Sequence, residues 1–372
     1  MITLPDGRAA TFITESEPPP LRELIAVDDS LSADGALRML ENGSGLLWTG
    51  DYRNGRALLA ALKRRLKGAA APAPTPDAPA HAGALWHAER AGTRHAAELL
   101  GGLLVTVEST GSLTLKHSPE TQVAIEQAWG PASGPRLISF NTLVGALSAA
   151  EWTRQGIEVP GLTGRLTPSY GVFSPTRHVY VRLIAGLDVA GRTVLDVGCG
   201  TGVLAFVLLQ RGARAALGSD LDPRAVQCAQ RNAVHLGLTD RFRAVEADLF
   251  PEGERADTIV FNAPWIPERP RTRLDRTVFD EGGETVRRFL AGVSDHLLPG
   301  GVAALVLSDL PERLGLRADG AVEAMIEAAE LELTEIHDAP ASHRRSNRPD
   351  DPLHVARAGE RIRLFLVKPR SA

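Results

Sequence analysis

From Thr193 onward, short apolar runs alternate with stretches in which apolar residues recur every three or four positions. Apolar runs bounded by turn residues read as buried strands, and the longer stretches of period 3.6 read as helices. Strands are predicted at 193–197, 214–219, 242–246, 257–261, 302–307, 331–337 and 361–367, and helices at roughly 201–211, 223–236, 282–297 and 319–329. Strands that alternate with helices argue for a parallel α/β sheet. No helix separates the last two strands, so they are expected to lie antiparallel at the sheet edge.

The first half has a different rhythm. Helical spacing is read at 21–27 and 32–40, with Ser32 placed to cap the second, and 45–50 reads as a short buried strand. Residues 54–66 form a helical pattern with Leu58, Leu59, Leu62 and Leu66 on one face and Arg53, Arg56, Lys63, Arg64 and Arg65 on the other. That basic face suits phosphates, or plain solvation. Residues 68–83 are rich in alanine and proline and read as an extended linker. Helices are expected at 85–100 and 122–129, and a hairpin from 103–107 and 112–116. This is α+β character over residues 1–160, an N-terminal domain expected to serve substrate recognition, with a structural or dimerising role as the alternative, and 161–372 form a second domain.

Composition narrows the classes. A chain of 372 residues has room for two domains. A net charge of −4 gives no global basic field for nucleic acid, which leaves only local patches for that purpose. Two cysteines, Cys199 and Cys228, make neither a disulfide framework nor a zinc site, so no metal is expected and a reducing cytoplasm is the simple setting. No leader pattern opens the chain and no apolar run reaches membrane-spanning length.

The candidate chemistry gathers where the predicted strands end. Strand 193–197 runs into Gly198-Cys199-Gly200-Thr201-Gly202 and then a helix, in the position where open parallel sheets bind ligands. A dinucleotide turn wants Gly-x-Gly-x-x-Gly; here the third glycine comes one residue early, and Asp196 would repel a pyrophosphate but suit a cationic ligand. An oxidoreductase using NAD is therefore disfavoured. The next strand ends at Asp220, placed to hold the two hydroxyls of a ribose. A ligand with an amino group and a ribose but no phosphate fits S-adenosylmethionine.

Asp196, the three glycines, Asp220 and Asp222-Pro223 resemble the first motif and the acidic second-strand motif of class I S-adenosylmethionine-dependent methyltransferases. The resemblance covers roughly 165–372 and implies a Rossmann-like seven-stranded sheet, with S-adenosyl-L-methionine held by Asp196, Gly198, Gly200, Gly202, Asp220 and, near the adenine amino group, Asp248. At the fourth strand end, Asn262-Ala263-Pro264-Trp265 resembles the Asn-Pro-Pro-aromatic motif of enzymes that methylate planar nitrogen. Such a nitrogen is a poor nucleophile. The Asn262 side-chain oxygen and the Ala263 carbonyl can accept its two N–H groups, Pro264 stiffens the loop, and Trp265 can stack on the flat target. Alanine stands where the motif has its first proline, which keeps the carbonyl and loosens the loop.

The resemblance is to the group containing ribosomal RNA guanine-N2 and protein-glutamine N5 methyltransferases, which implies that Phe173 and Ser174 lie near the site. Arg269, Arg271, Arg273 and Arg276 would border the target opening. The long connection 337–360, with His343, Arg344, Arg345 and Arg348, would begin on the same face. The expectation is N-methylation of an exocyclic amine in ribosomal RNA. The alternatives are a protein-glutamine methyltransferase and a non-catalytic cofactor-binding module that recruits RNA or ribosome. The expected partners are RNA or a ribosomal protein, with no membrane.

Overall fold

A computed structural model describes residues 1–15, 21–68, 79–270, 272, 274–341, 348 and 350–370. The chain divides into two compact units, one of Met1–Thr75 with Ala84–Glu151 and one of Pro76–Gly83 with Trp152–Ala372.

The first unit is built on six strands: β1 (Ile2–Thr3), β2 (Ala9–Ile13), β3 (Glu23–Val27), β4 (Ser44–Trp48), β5 (Leu103–Val107) and β6 (Arg136–Ser139), in the spatial order β1-β2-β6-β5-β4-β3. Strands β3, β4 and β5 are parallel, and β5 meets β6 antiparallel. Alternation sorts Leu46, Trp48, Leu103 and Val105 to one face and Leu47 and Leu104 to the other. The first face is covered by α1 (Ala33–Glu41), α2 (Tyr52–Gly68), the end of α3 (Pro79–Gly101), α4 (Gln122–Trp129) and the start of α5 (Phe140–Gln155). Ser32 caps α1 as expected, accepting the Gly35 N–H at 3.1 Å.

Three expectations for the first half of the chain fail. Residues 21–27 do not form a helix: Glu23–Val27 pairs in parallel with Ser44–Trp48. A short apolar run satisfies either period, and the neighbouring strand decides. Residues 112–116 make no second hairpin strand, only a bridge from Val107 to Leu113, because β4 and β6 already occupy both edges of β5. The tract 68–83 is not wholly extended either: Pro79–Gly83 begins α3, with proline at the first helical position, where its missing N–H costs nothing. Residues 69–78 lie outside the described residues.

The second unit carries a small hairpin, β7 (Ile157–Glu158) with β8 (Arg165–Leu166), and a seven-stranded sheet. Its strands are β9 (Thr193–Val197), β10 (Ala215–Asp220), β11 (Phe242–Glu246), β12 (Ala256–Asn262), β13 (Leu297–Ser308), β14 (Leu331–Pro340) and β15 (Arg361–Pro369). They lie in the order β11-β10-β9-β12-β13-β15-β14, all parallel except β15, which is antiparallel to both neighbours. The sheet is Rossmann-like, as expected, and the last two strands pair antiparallel.

One face packs against α6 (Val179–Ala185), α7 (Val203–Gln210) and α8 (Pro223–His235), the other against α9 (Glu284–His296) and α11 (Ala321–Ala328). Two short helices, α10 (Leu310–Arg313) and α12 (His354–Ala358), complete the unit. Helix α7 is apolar on every side because the sheet and α6 bury it completely. Strand order reverses between β9 and β12, so the loops after these strands open a crevice at their carboxyl ends. No described helix is long and apolar enough to cross a membrane.

Candidate cofactor and target site

The turn after β9 is shaped by three glycines in left-handed conformations: Gly198 at φ 62°, Gly200 at φ 54° and Gly202 at φ 83°. Two are also required by packing, since an added Cβ would meet the Phe261 ring at 3.2 Å from Gly198 and the Phe206 ring at 2.5 Å from Gly202. Gly200 differs: nothing lies within 4 Å of its would-be Cβ, so its backbone faces open space on the crevice side.

The carboxylate of Asp220 stands against this turn. One oxygen accepts the Gly200 N–H at 3.0 Å and the other the Asp222 N–H at 2.9 Å. Each oxygen keeps a lone pair for a further donor. Burial pushes the Asp220 carboxyl above its ordinary value, and the Gly200 and Asp222 N–H groups pull it part of the way back. Hydroxyl donors from a ribose would complete this solvation.

Asp196 is placed differently from the sequence expectation. It is 1% exposed and accepts the Ala205 N–H at 3.1 Å, in the first turn of α7. Gly202, at the helix N-cap, has no side chain to do this, so the strand supplies the cap from below. Asp196 thereby ties the strand to the start of α7, a structural contact the sequence reading did not foresee. Burial raises its pKa to about 7. The nearby Tyr180 phenol is pushed up as well, by burial first and by the Asp196 charge second.

Asp248 lies in the loop after β11 and pairs with Arg288 at 2.7 Å, both on the surface. Next to it Leu249 is left-handed, at φ 67°, and the Ser219 hydroxyl donates to its carbonyl at 2.6 Å. A non-glycine residue held there is the kind of strain that collects in ligand loops.

The fourth strand end brings the target motif beside the turn. Phe261 pairs with Val197, which sets Asn262 next to Gly198. Val260 faces the α7 side, so the alternation of the strand sends the Asn262 side chain to that side too. Its Oδ1 is buried and has no hydrogen-bond partner among the described residues. The same holds for Trp265 Nε1, and the Trp265 ring packs against the apolar clusters of both faces, across the end of the sheet. Ala263 is buried with its methyl in the cluster below. The stiffness a second proline would give comes from outside the motif: the Trp265 and Ile266 N–H groups both donate to the Val278 carbonyl at 2.9 Å, and Asp280 donates its N–H to Ile266 at 2.8 Å. The Asp280 carboxylate then caps α9 through the Thr285 and Val286 N–H groups.

The expected substrate contacts fall only partly within the described residues. Arg271 and Arg273 lie outside the described residues, as do His343, Arg344 and Arg345. Arg269 is exposed, and Arg348 pairs with its neighbour Asp350. Phe173 sits half-buried in an irregular stretch before α6. Neither Ser174 nor Thr176 caps that helix; His178 occupies the N-cap, with no side-chain cap bond. No group of three or more metal-ligating side chains occurs among the described residues.

Two residues escaped the sequence reading. Asn232, fully buried on α8, accepts from the Thr167 N–H and hydroxyl at 2.8 Å each and donates to the Thr201 carbonyl at 3.0 Å. It ties the glycine turn to the segment that precedes α6. Its signal was available: one amide on a helix face otherwise made of Ala225, Val226, Cys228, Ala229 and Ala233. His178, whose Nε2 is also buried without a partner, gave no such signal.

A cavity of about 350 Å³ lies at the opposite end of the sheet, lined by Thr193, Ala215, Phe242 and Ala256, where the strands begin. It holds none of these groups.

Residues 174–264 match the family described as ribosomal protein L11 methyltransferase (PrmA). Ribosomal protein L11 methyltransferases of Salmonella newport and Salmonella enteritidis are each 38% identical to this chain over 109 residues, which is 29% of this chain and 37% of theirs. The chain thus spans little more than a third of these curated relatives. Among solved structures, a ribosomal protein L11 methylase from Lactobacillus delbrueckii subsp. bulgaricus is 18% identical, with a TM-score of 0.36 over 51% of this chain and 77% of that one. The matched segment runs from Ser174 through Pro264 and so contains the glycine turn, Asp220, Asp248 and the Asn262 loop. The similarity is to class I S-adenosylmethionine-dependent methyltransferases, and S-adenosylmethionine is the cofactor it implies. The residues present fit it: an open glycine backbone, a carboxylate with two free lone pairs, and an unpartnered amide oxygen across the strand gap.

Proposed function

We propose that this chain is an N-methyltransferase that carries a methyl group from S-adenosylmethionine to a planar nitrogen on a component of the ribosome. Held at the glycine turn by Gly198, Gly200, Gly202 and Asp220, the cofactor would supply an electrophilic methyl group on a sulfonium sulfur. The protein orients. Asp220 holds the ribose, and Gly198, Gly200 and Gly202 let the cofactor approach the backbone. Asp248 is assigned to the adenine side.

The observation that carries the reading is the buried, unpartnered Asn262 Oδ1 beside Gly198. Together with the Ala263 carbonyl, which accepts no hydrogen bond among the described residues, it offers two acceptors to the two N–H groups of an amide or exocyclic amine. Accepting both keeps electron density on nitrogen and aims its lone pair along the strand ends toward the methyl. The rate gain is one of positioning. Asn262→Ala is expected to abolish transfer of labelled methyl to ribosomal subunits from a strain lacking the gene, while calorimetric affinity for S-adenosylhomocysteine stays within about twofold, since no cofactor contact is lost. Retained transfer would remove Asn262 from the chemistry.

Ribosomal protein is the first reading of the substrate, because the matched segment belongs to a family whose members are described as acting on a ribosomal protein. Ribosomal RNA is the second, favoured by the basic stripe on α2, with the first unit as the recognition domain and Phe173, Arg269, Arg271 and Arg273 at the target opening. A cytoplasmic setting accompanies either.

A further inference from the structure

A second cavity, of about 170 Å³, lies within the first unit, between the turn that follows β5 and helix α4. Arg136, the first residue of β6, lines it. Alternation along β6 decides where that side chain goes. Leu137 joins the cluster on one face, whereas Ile138 packs with Ile125 of α4 on the other, so Arg136 points to the α4 side. The residue is 7% exposed. Its Nη2 donates to the Trp129 and Pro131 carbonyls, at 3.3 and 2.7 Å, just beyond the end of α4. Its Nη1 is buried and has no acceptor among the described residues. A guanidinium left partly unsatisfied away from water is costly. Two carboxylates line the same cavity without meeting it. Glu108 is already taken, since Arg8 Nη1 lies 3.0 Å from both its oxygens. Glu126 is exposed on α4, and its carboxylate has no partner among the described residues. The walls are fixed: the Thr121 hydroxyl donates to the Gly111 carbonyl at 2.6 Å, and the Gly111 N–H to the Glu108 carbonyl at 2.8 Å.

We propose that this cavity binds a small zwitterionic amino acid, with its carboxylate on Arg136 and its ammonium on Glu126. The charges decide between ligand classes. A plain anion would satisfy Arg136 but lie against Glu108 and Glu126. A plain cation would satisfy Glu126 and leave the Arg136 Nη1 unpaired, and a site built around a buried polar group rejects a ligand that cannot complete it. A zwitterion meets both. The spacing suits one, because Glu126 stands about one helical turn, roughly 5.4 Å, before the carbonyls that hold Arg136. Size limits the side chain: an apolar cavity of about 150 Å³ holds benzene, so this one has room for an amino acid with a short side chain. Ser109, Thr110 and Gln122 line the remainder, which suits a polar, uncharged group. Every residue of the site belongs to the first unit, and none takes part in the methyl transfer assigned to the second.

The test is calorimetric titration of the full chain with serine and glutamine, and with acetate and ethylamine, which carry one charge each. Serine or glutamine is expected to bind saturably, with a dissociation constant of about 1 mM or tighter, and acetate and ethylamine at least about tenfold more weakly. Arg136→Lys endangers the loop, because Nη2 holds two of its carbonyls, so the decisive variant is the exposed Glu126→Gln, which keeps the size of the side chain and breaks no hydrogen bond. It should weaken the amino acid about tenfold, the scale of one hydrogen bond to a charged group. Acetate, freed of a repelling carboxylate, should bind the same variant no more weakly than the unsubstituted chain. Absence of saturable heat with both serine and glutamine overturns the proposal and leaves the cavity to water. Acetate binding as tightly as serine overturns it in favour of a plain anion site. Unchanged serine and glutamine affinity in Glu126→Gln overturns it too, by placing the ligand elsewhere.

Discussion

Two aspartates at the ends of adjoining strands, Asp220 and Asp196, have been given different tasks by their surroundings. Asp220 keeps lone pairs free beside an open glycine, and the proposed function makes it the cofactor carboxylate. Asp220→Ala should weaken S-adenosylhomocysteine binding by about 1.5–3 kcal/mol, the range for hydrogen bonds to a charged group. Calorimetry reads this directly, and unchanged affinity would take Asp220 out of the site. Asp196 is buried under the turn, with a pKa of about 7 against 3.8 in an unfolded chain. Between these values the folded protein keeps a proton that the unfolded chain has released, so this group stabilises the fold less as pH rises from about 4 to 7. At about 1.4 kcal/mol per unit the swing has an upper bound of about 4 kcal/mol. Asp196→Asn, whose amide oxygen can still cap Ala205, should therefore gain thermal stability relative to the unsubstituted chain as pH goes from 5 to 8. A stability difference independent of pH would mean that the α7 terminus keeps Asp196 ionised throughout.

At the scale of elements, the crevice is built from helices whose N-termini cannot cap themselves. Both α7 and α9 start after a left-handed glycine, Gly202 and Gly283, and both borrow a carboxylate from upstream, Asp196 and Asp280. The device leaves the glycine free to shape the turn while still meeting the first N–H groups of the helix. A third helix contributes by a side chain alone: Asn232 on α8 reaches both Thr167 and Thr201. Asn232→Ala should cost about 2–4 kcal/mol of stability, because three hydrogen bonds to one fully buried amide go together. It should also weaken S-adenosylhomocysteine binding although it touches no ligand, since the turn loses its tie. Chemical denaturation and calorimetry on the same variant check both; a stability loss with unchanged affinity would confine Asn232 to the core.

At the scale of the whole molecule, charge is unevenly spread. The chain carries a net −4, yet Arg53, Arg56, Lys63 and Lys67 line one face of α2. The Lys63 pKa is lowered by burial and by Lys67 and Arg56, so these cations crowd one another. Like charges held together are costly unless something negative meets them. If the substrate is RNA, replacing Arg56, Lys63 and Lys67 by glutamine should reduce affinity for ribosomal RNA and make it less dependent on salt. An unaltered salt slope, measured by filter binding, would favour the protein substrate.

The seven-stranded sheet of the second unit and four of its helices were legible because a buried parallel sheet writes continuous apolar runs separated by longer helical stretches, and each signal is local. The candidate site was legible wherever a residue is tied to backbone shape or to a strand end: Gly198, Gly200, Gly202, Asp220 and Asn262 all mark such places. The first unit was read less well. Residues 23–27 and 112–116 carry patterns that fit two structures, and only the competition for the edges of β4 and β5 chose between them. Tertiary structure alone decided that Asp196 caps α7 and that Asn232 bridges two loops. Periodicity along a chain tells which residues must leave water. Which buried polar atom finds a partner depends on atoms from distant segments, and those meet only when the sheet closes over them.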